Sequence, residues 1–298
     1  MKEVLEVYKI AEPVRLALEE DIGKGDITTN CIIPQDMVVD ADIVVKEHGV
    51  ICGLPVAEYI FSCLDSKICS TPKVDDGANV APGDAVANVK GPARAILTGE
   101  RVALNFLQRL SGIATITSNF VKKVSRYNVQ ILDTRKTTPN LRYLEKYAVR
   151  IGGGKNHRMG LYDQILIKDN HLRCMVASLS PTKEAVQSAR KSYSNTLLEI
   201  EVENLEQLKD ALDADVDIIM LDNVDLPSIE QAVKIVKGWE VGAGLKPAPT
   251  GRKRPLIEAS GNITLETVED IAQTGVDRIS VGALTHSVKT LDISLEIR

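Results

Sequence analysis

Leu197-Leu-Glu-Ile-Glu-Val-Glu-Asn-Leu-Glu-Gln-Leu-Lys-Asp-Ala-Leu-Asp-Ala-Asp-Val-Asp-Ile-Ile-Met-Leu-Asp222 decides the fold. Residues 197–202 form a short apolar run with carboxylates at alternate places, which is the period of a strand. Residues 205–212 carry apolar positions at helical spacing, and 217–221 return to a β-rich run. Strand, helix and strand thus follow each other with short links. The same rhythm recurs on both sides. Further β-rich runs lie at 129–132, 165–167, 256–259 and 278–281, with helical patterns at 141–147, 182–191, 226–236 and 265–274. Alternation of this kind means βα units and a parallel sheet. At least six such repeats favour a barrel over a doubly wound sheet. No Gly-x-Gly-x-x-Gly follows a strand, which also counts against a dinucleotide fold. Residues 149–151 read as one more short strand.

The first third of the chain has a different texture. Residues 4–20 carry apolar positions at helical spacing, and 21–29 read as a loop in which Asp26 or Thr28 turns the chain. Residues 38–45 make a good strand, 50–52 return, and 54–64 read as a helix. Gly77, Pro82-Gly83-Asp84 and Gly91-Pro92 punctuate short strands around Val80 and Val86. A small antiparallel sheet with helices is expected. A long helix should start after Gly91, with Pro92 in its first turn, and run to Ser111-Gly112. A second helix is expected at 116–125. Arg94, Arg101 and Gln108 recur every seven residues and so share a helix face.

Composition narrows the function. The chain has 298 residues, 44% hydrophobic and 26% charged, which suits an ordinary soluble globular protein. A net charge of -5 and 4% aromatics argue against a general nucleic-acid binder. No apolar run reaches the ~20 residues of a membrane helix. The N-terminus has no apolar signal region. Five cysteines, without metal-type pairing, are expected to be small buried hydrophobes in a reducing cytoplasm.

Against that acidic background, residues 133–171 hold eight Lys or Arg and four acids, an excess of +4. His157 and His171 add to it. The cations sit beside glycines and at expected strand ends, not along one helix face, so a pocket for an anion-rich small molecule is expected. Barrel enzymes gather their reacting groups at the C-terminal ends of strands. Those ends give Asp133, Arg135 and Lys136, then Lys168, then Glu201, Asp222, Ser260-Gly261 and Val281-Gly282, with His157 and Arg158 just ahead of the strand that ends at Lys168. Arg135 and Arg158 can each grip a carboxylate by two points; Lys136 and Lys168 act as point charges. Carboxylates at the ends of apolar strands need a partner, and Glu201 and Asp222 suit Mg²⁺ on a substrate phosphate, or ribose hydroxyls. Glu199 and Glu203 share a strand face with Glu201, so periodicity does not separate the three. The small-residue turns on the last two strands look like a phosphate cradle. The segment at 241–255, rich in Gly, Pro and cations, is expected to be a peripheral insertion.

At these residues the sequence resembles the quinolinate phosphoribosyltransferases. The resemblance is carried by Glu20-Asp-Ile-Gly-Lys-Gly-Asp-Ile-Thr-Thr29, Gly99-Glu-Arg-Val-Ala-Leu-Asn105, Leu110-Ser-Gly-Ile-Ala-Thr115, Asp133-Thr-Arg-Lys-Thr137, Asn156-His-Arg158, Ile167-Lys-Asp-Asn-His171, Glu199-Ile-Glu-Val202, Met220-Leu-Asp-Asn223, Glu258-Ala-Ser-Gly261 and Val281-Gly-Ala-Leu-Thr-His-Ser287. It implies an α/β-sandwich N-terminal domain at 1–115, rejoined by 287–298, and an open seven-stranded α/β barrel at 116–286. It implies a homodimer in which Arg101 reaches the partner's site. Thr134, Arg135, Lys136, His157, Arg158 and Lys168 match the binders of quinolinate and pyrophosphate. Glu201 and Asp222 match the ribose and Mg²⁺ positions, and with Lys136 and Lys168 they are the expected catalytic residues. Ser260, Gly261, Asn262, Val281, Gly282, Ala283 and His286 match the phosphate region. Asn262 stands where the family usually has a second glycine, so a stiffer turn is expected there.

The implied reaction joins quinolinate to 5-phosphoribosyl 1-diphosphate with loss of CO₂, in a cytoplasmic enzyme. Two other readings compete. One is a barrel lyase with a Schiff-base lysine, Lys136 or Lys168, which needs an apolar niche. The other is a relative on the same scaffold, of the molybdenum-transport-associated kind, or a non-catalytic anion binder.

Overall fold

A computed structural model describes residues 5–175, 178, 180–241 and 254–298. All but the ends of the segment at 241–255 lies outside the described residues. Twelve strands are described: β1 Val38–Val45, β2 Gly49–Val50, β3 Cys69–Pro72, β4 Asn79–Val80, β5 Ala85–Pro92, β6 Gln130–Leu132, β7 Ile165–Ile167, β8 Leu198–Val202, β9 Ile218–Asp222, β10 Leu256–Ser260, β11 Arg278–Ser280 and β12 Ile293–Ile297. The chain forms two compact units. One takes the chain up to Ser118, with Lys136–Gly154 and Leu284–Arg298; the other takes Asn119–Arg135 and Lys155–Ala283. The segment 136–154, inside the expected span of the barrel, belongs to the first unit.

In the first unit β12, β1, β5 and β3 form an antiparallel sheet in that order, so the C-terminal strand returns to pair with β1. The helix Leu54–Leu64 buries Leu54, Val56, Ala57, Ile60 and Phe61. Four local readings change. Residues 21–29 are not all loop: the helix Val7–Ile22 runs into them, and Asp26 caps a short helix, Ile27–Ile32, by accepting from Thr29 N at 2.9 Å. Pro92 closes β5 instead of opening a helix. Residues 149–151 are the end of the helix Arg142–Ile151, whose Leu144, Tyr147 and Ala148 are buried at helical spacing. Four of the five cysteines (31, 63, 69 and 174) are exposed, and only Cys52 is buried; all five are free thiols.

The fifth change concerns Ser111-Gly112. One helix, Ala93–Lys123, runs unbroken through them, where two were expected. Ser111 Oγ accepts from Cys52 N at 2.9 Å and donates to Cys52 O at 3.2 Å. Gly112 allows a close approach: a Cβ there would stand 2.4 Å from Lys289 O. Residues that commonly end helices are here the small residues that let neighbouring chain pack tightly.

In the second unit six parallel strands follow the order β6-β11-β10-β9-β8-β7. From β7 to β11 each strand pairs with the next in sequence, and the last then pairs with the first, β6. A singly wound sheet whose last strand returns to its first is a barrel. Its gap lies between β6 and β7, where Lys155 makes one parallel bridge to Leu132. The expected seventh strand is reduced to that bridge, and the barrel is open. β8 is buried at all five positions, as a covered parallel strand should be.

Gly112→Ala is expected to destabilise the protein by about 1–3 kcal/mol through overpacking, although alanine is the better helix former by about 1 kcal/mol. Urea unfolding checks it; an unchanged or higher midpoint would show that the approach of Lys289 is not a constraint.

Candidate functional site

Parallel strands bring their C-terminal ends to one edge. Leu132, Ser280, Ser260 and Asp222 are paired in one register across β6, β11, β10 and β9. Leu221 pairs Val202, and Ile200 pairs Ile167. The same rim therefore carries Thr134 and Arg135, then Val281 and Gly282, Gly261 and Asn262, Asp222, Glu201 and Lys168. All these expected site residues fall in the second unit, along with His157, Arg158, Ser260 and Ala283.

The cationic side is anchored by Asp133, which has no exposed surface. Its Oδ1 accepts from His157 N at 2.9 Å, and its Oδ2 accepts from Asn156 Nδ2. Lys155 N donates to Ile131 O at 2.8 Å, so the whole segment 155–157 lies along β6. Arg158 follows directly. Its backbone N–H donates to His157 Nδ1 at 2.8 Å, and its Nη1 donates to Gln164 O at 3.3 Å. Arg158 is only 9% exposed. Burial, and next the charge of Arg135, pull its guanidinium below the usual arginine range; Glu199 and Asp163 oppose this. Two guanidiniums close enough to repel, one of them buried, favour an anion beside them.

The acidic side is Glu201 with Asp222. Glu201 is ion-paired with Lys168. Burial raises its carboxyl above the usual range; Lys168 opposes, and the charges of Asp222 and Asp169 add to the rise.

The phosphate-type turns sit side by side. Gly261 has φ +99°, and a Cβ there would meet Asn223 Oδ1 at 2.2 Å, so glycine is required. Asn262 and Asn223 both take the left-handed conformation, with φ 50° and 53°. Their side chains join, Asn262 Nδ2 donating to Asn223 Oδ1 at 3.2 Å. Asparagine is among the non-glycine residues that tolerate this region, and here Asn262 adopts it. Val281 N donates to Leu132 O at 2.9 Å, and a helix, Ala283–His286, follows Gly282.

Arg101, Lys136 and His286 belong to the first unit. Arg101 is exposed on the helix Ala93–Lys123. Lys136 is exposed, and its carbonyl accepts from Thr285 Oγ1 at 2.8 Å. His286 Nδ1 lies 2.6 Å from Ser287 Oγ.

One group escaped the sequence reading. Glu199 on β8, Glu258 on β10 and Arg278 on β11 are buried, with His157 and Gln164 beside them. Arg278 Nε lies 3.0 Å from Glu258 Oε2, its neighbour in register. His157 Nε2 lies 2.9 Å from Glu199 Oε2 and 3.6 Å from Glu258 Oε1. Burial and the charge of Glu199 push the Glu258 carboxyl up to about 7, against Arg278 and His157. The available signal was the strand period, which puts Glu199 one step below Glu201 and Glu258 one step below Ser260.

An open α/β barrel whose strand ends carry paired guanidiniums, paired carboxylates and small-residue turns defines a class: barrel enzymes that handle polyanionic small molecules. Comparison with known proteins makes it specific. The C-terminal domain of quinolinate phosphoribosyl transferase matches residues 113–296, and its N-terminal domain matches 26–111. A probable nicotinate-nucleotide pyrophosphorylase (carboxylating) from Bacillus subtilis is 44% identical, over 93% of this chain and 90% of that protein. A mitochondrial quinolinate phosphoribosyltransferase (decarboxylating) from Nicotiana tabacum is 42% identical, over 97% and 82%. The solved nicotinate-nucleotide pyrophosphorylase from Francisella tularensis superposes with a TM-score of 0.88 at 40% identity, over 99% and 98%. The chain belongs to the quinolinate phosphoribosyltransferase family.

The buried acid yields a test. The folded protein holds the Glu258 proton up to about pH 7, while an ordinary glutamate releases it near 4.5. The folded state thus binds more protons in that window, and this group makes stability fall as pH rises through it. Glu258→Gln removes the group and keeps its shape. Its melting temperature is expected to depend less steeply on pH over that range than the parent's; parallel curves would refute the assignment.

Proposed function

We propose that the protein transfers the phosphoribosyl group of 5-phosphoribosyl 1-diphosphate to quinolinate, with decarboxylation, giving nicotinate mononucleotide, pyrophosphate and CO₂, a step of de novo NAD biosynthesis. The observation that carries this reading is the pair Arg135 and Arg158. Two repelling guanidiniums at a barrel rim suit a dicarboxylate better than any neutral ring. Lys168, Thr134 and Lys136 complete the set of anion binders, and the turns at Ser260–Asn262 and Val281–Ala283, with His286, receive the 5-phosphate.

The chemistry follows from charge. As the bond from ribose C1 to pyrophosphate breaks, C1 becomes positive, and Glu201 and Asp222 stabilise it and hold the ribose hydroxyls. The quinolinate nitrogen bonds to C1, and its ring becomes a pyridinium. The bond from C2 to its carboxylate then breaks and CO₂ leaves. The electron pair stays on C2, next to the positive nitrogen, until C2 takes a proton. No covalent enzyme intermediate is needed; placement and fixed charge carry the rate. Glu201 and Asp222 would also hold Mg²⁺ brought in with the phosphoribosyl donor. They are hard oxygen donors, and Asp222's charge helps raise the Glu201 carboxyl, so a cation suits the pair. When bound, the ion supplies charge neutralisation for the pyrophosphate.

The Schiff-base alternative finds no apolar niche: Lys168 is ion-paired with Glu201, and Lys136 is exposed. The assembly we propose is a homodimer in which Arg101 enters the partner's site. Its exposure on a helix supports this, as do Ile27, Ile32 and Val38, apolar side chains exposed in the same unit. A cytoplasmic location is consistent with five free thiols. Among the described residues no helix is long and apolar enough to cross a membrane.

Incubation with quinolinate, the phosphoribosyl donor and Mg²⁺ is expected to give nicotinate mononucleotide, and nicotinate in place of quinolinate to give none; the reverse result would overturn the role of Arg135 and Arg158. Arg158→Ala is expected to lower kcat/KM for quinolinate at least about a hundredfold, the loss that goes with one charge-assisted pair of about 3 kcal/mol. Arg101→Ala and Lys136→Ala proteins are each expected to be nearly inactive. Mixing them with subunit exchange should restore part of the turnover; no recovery would count against a shared site.

A further inference from the structure

We propose that Glu199 is a positioning residue for the dicarboxylate substrate: its carboxylate pins both ends of the 157–164 loop and so aims Arg158, and the His157 ring serves that loop rather than the substrate. The proposal rests on the reading of Arg158 as a quinolinate binder.

One oxygen, Glu199 Oε2, meets both ends of the loop. It accepts from Gln164 Nε2 at 2.6 Å and lies 2.9 Å from His157 Nε2. The two residues it holds are the two that hold Arg158. His157 Nδ1 accepts from the Arg158 backbone N–H at 2.8 Å, and Gln164 O accepts from Arg158 Nη1 at 3.3 Å. The backbone donor assigns Nδ1 as the unprotonated ring nitrogen, so Nε2 carries the proton, and the 2.9 Å approach to Glu199 is made by Nε2. Both ring nitrogens then face protein partners, and the side chain of His157 is 5% exposed.

The energetics favour a positioning role over a purely structural one. A barrel interior is ordinarily filled by branched apolar side chains. A buried set of two glutamates, an arginine and a histidine is at best neutral for stability compared with an apolar layer. It does give the loop above it a directional hold, the hydrogen bond from Gln164 to Glu199, which apolar packing does not. His157, Glu199 and Glu258 also lie within metal-ligating distance of one another, with their donor atoms within 4.8 Å. Arg278 and Gln164 already bring positive and donor groups to the two carboxylates, at 3.0 and 2.6 Å, which disfavours a metal there.

The test has two arms on the full-length protein. In Glu199→Gln, KM for quinolinate is expected to rise about tenfold or more, as for the loss of one hydrogen bond to a charged group, while kcat and the KM for the phosphoribosyl donor stay within about twofold. Equal rises in both KM values, or none, would overturn the proposal. The second arm does not depend on the Glu199 variant folding. The chain has four histidines, few enough to assign by nitrogen NMR with one His157 variant. His157 of the parent protein is expected to show an unprotonated Nδ1 whose signal keeps its tautomer when quinolinate is added. A change of tautomer or a new proton on quinolinate binding would show that the ring meets the substrate, and would overturn the proposal. Failure of the enzymatic reading itself would appear separately, as no turnover of quinolinate by the parent protein.

Discussion

Asp133 is a carboxylate with no exposed surface, and it is compensated by donors from one short segment, His157 N and Asn156 Nδ2. A buried charge of this kind is tolerated only while its donors stay in place. That requirement fastens residues 155–157 to the end of β6, and they occupy the gap that β6 and β7 leave in the barrel. Arg135 is two residues beyond Asp133 on one side, and Arg158 one residue beyond His157 on the other. The same contact therefore closes the edge of the sheet and brings the two guanidiniums to one place. Without such a clamp, two like charges at one rim would drift apart, since each gains by moving further into water.

The barrel was legible because each strand and helix carries its own period. β8 is buried throughout and β9 at every position but its last, Asp222, so their apolar runs survive in sequence, and the links between them are too short for any other winding. The rim residues were legible for a related reason. A charged residue at the end of an apolar strand has a cost that only a partner or a ligand offsets, so Lys168, Glu201 and Asp222 stood out. What failed was reading residue types whose usual role depends on the surroundings. Ser111 and Gly112 commonly end helices, but here they face Cys52 and Lys289, partners that are distant in sequence. The exposed cysteines show that the usual burial of cysteine is a tendency of the type, not a property of a position.

The polar layer beneath the rim was the hardest feature to foresee. Glu199 and Glu201 have the same period, the same strand and the same face, and sequence offers no reason to give them different tasks. Depth separates them. Glu201 stands at the rim against Lys168, where a substrate hydroxyl or a cation can reach it. Glu199, two residues down the strand, is enclosed by Gln164 and His157. Glu258 and Ser260 repeat the pattern on β10: the acid is buried against Arg278, and the small residue begins the turn above. On the proposed reading the upper layer is placed to meet ligand and the lower layer to hold the upper in position.

This division of labour also bears on how an acidic chain handles polyanions. With a net charge of -5, the molecule as a whole repels such substrates weakly, and its attraction is confined to the rim. Local attraction is strong only if the cations are desolvated and fixed, because mobile lysines in water would be screened within about 8–10 Å. Arg158 meets both conditions. Its burial and the charge of Arg135 disfavour the guanidinium cation, Glu199 and Asp163 oppose this, and an anion beside it would favour it further. On the proposed reading, a dicarboxylate gains more from this crowding than its monocarboxylate analogue does.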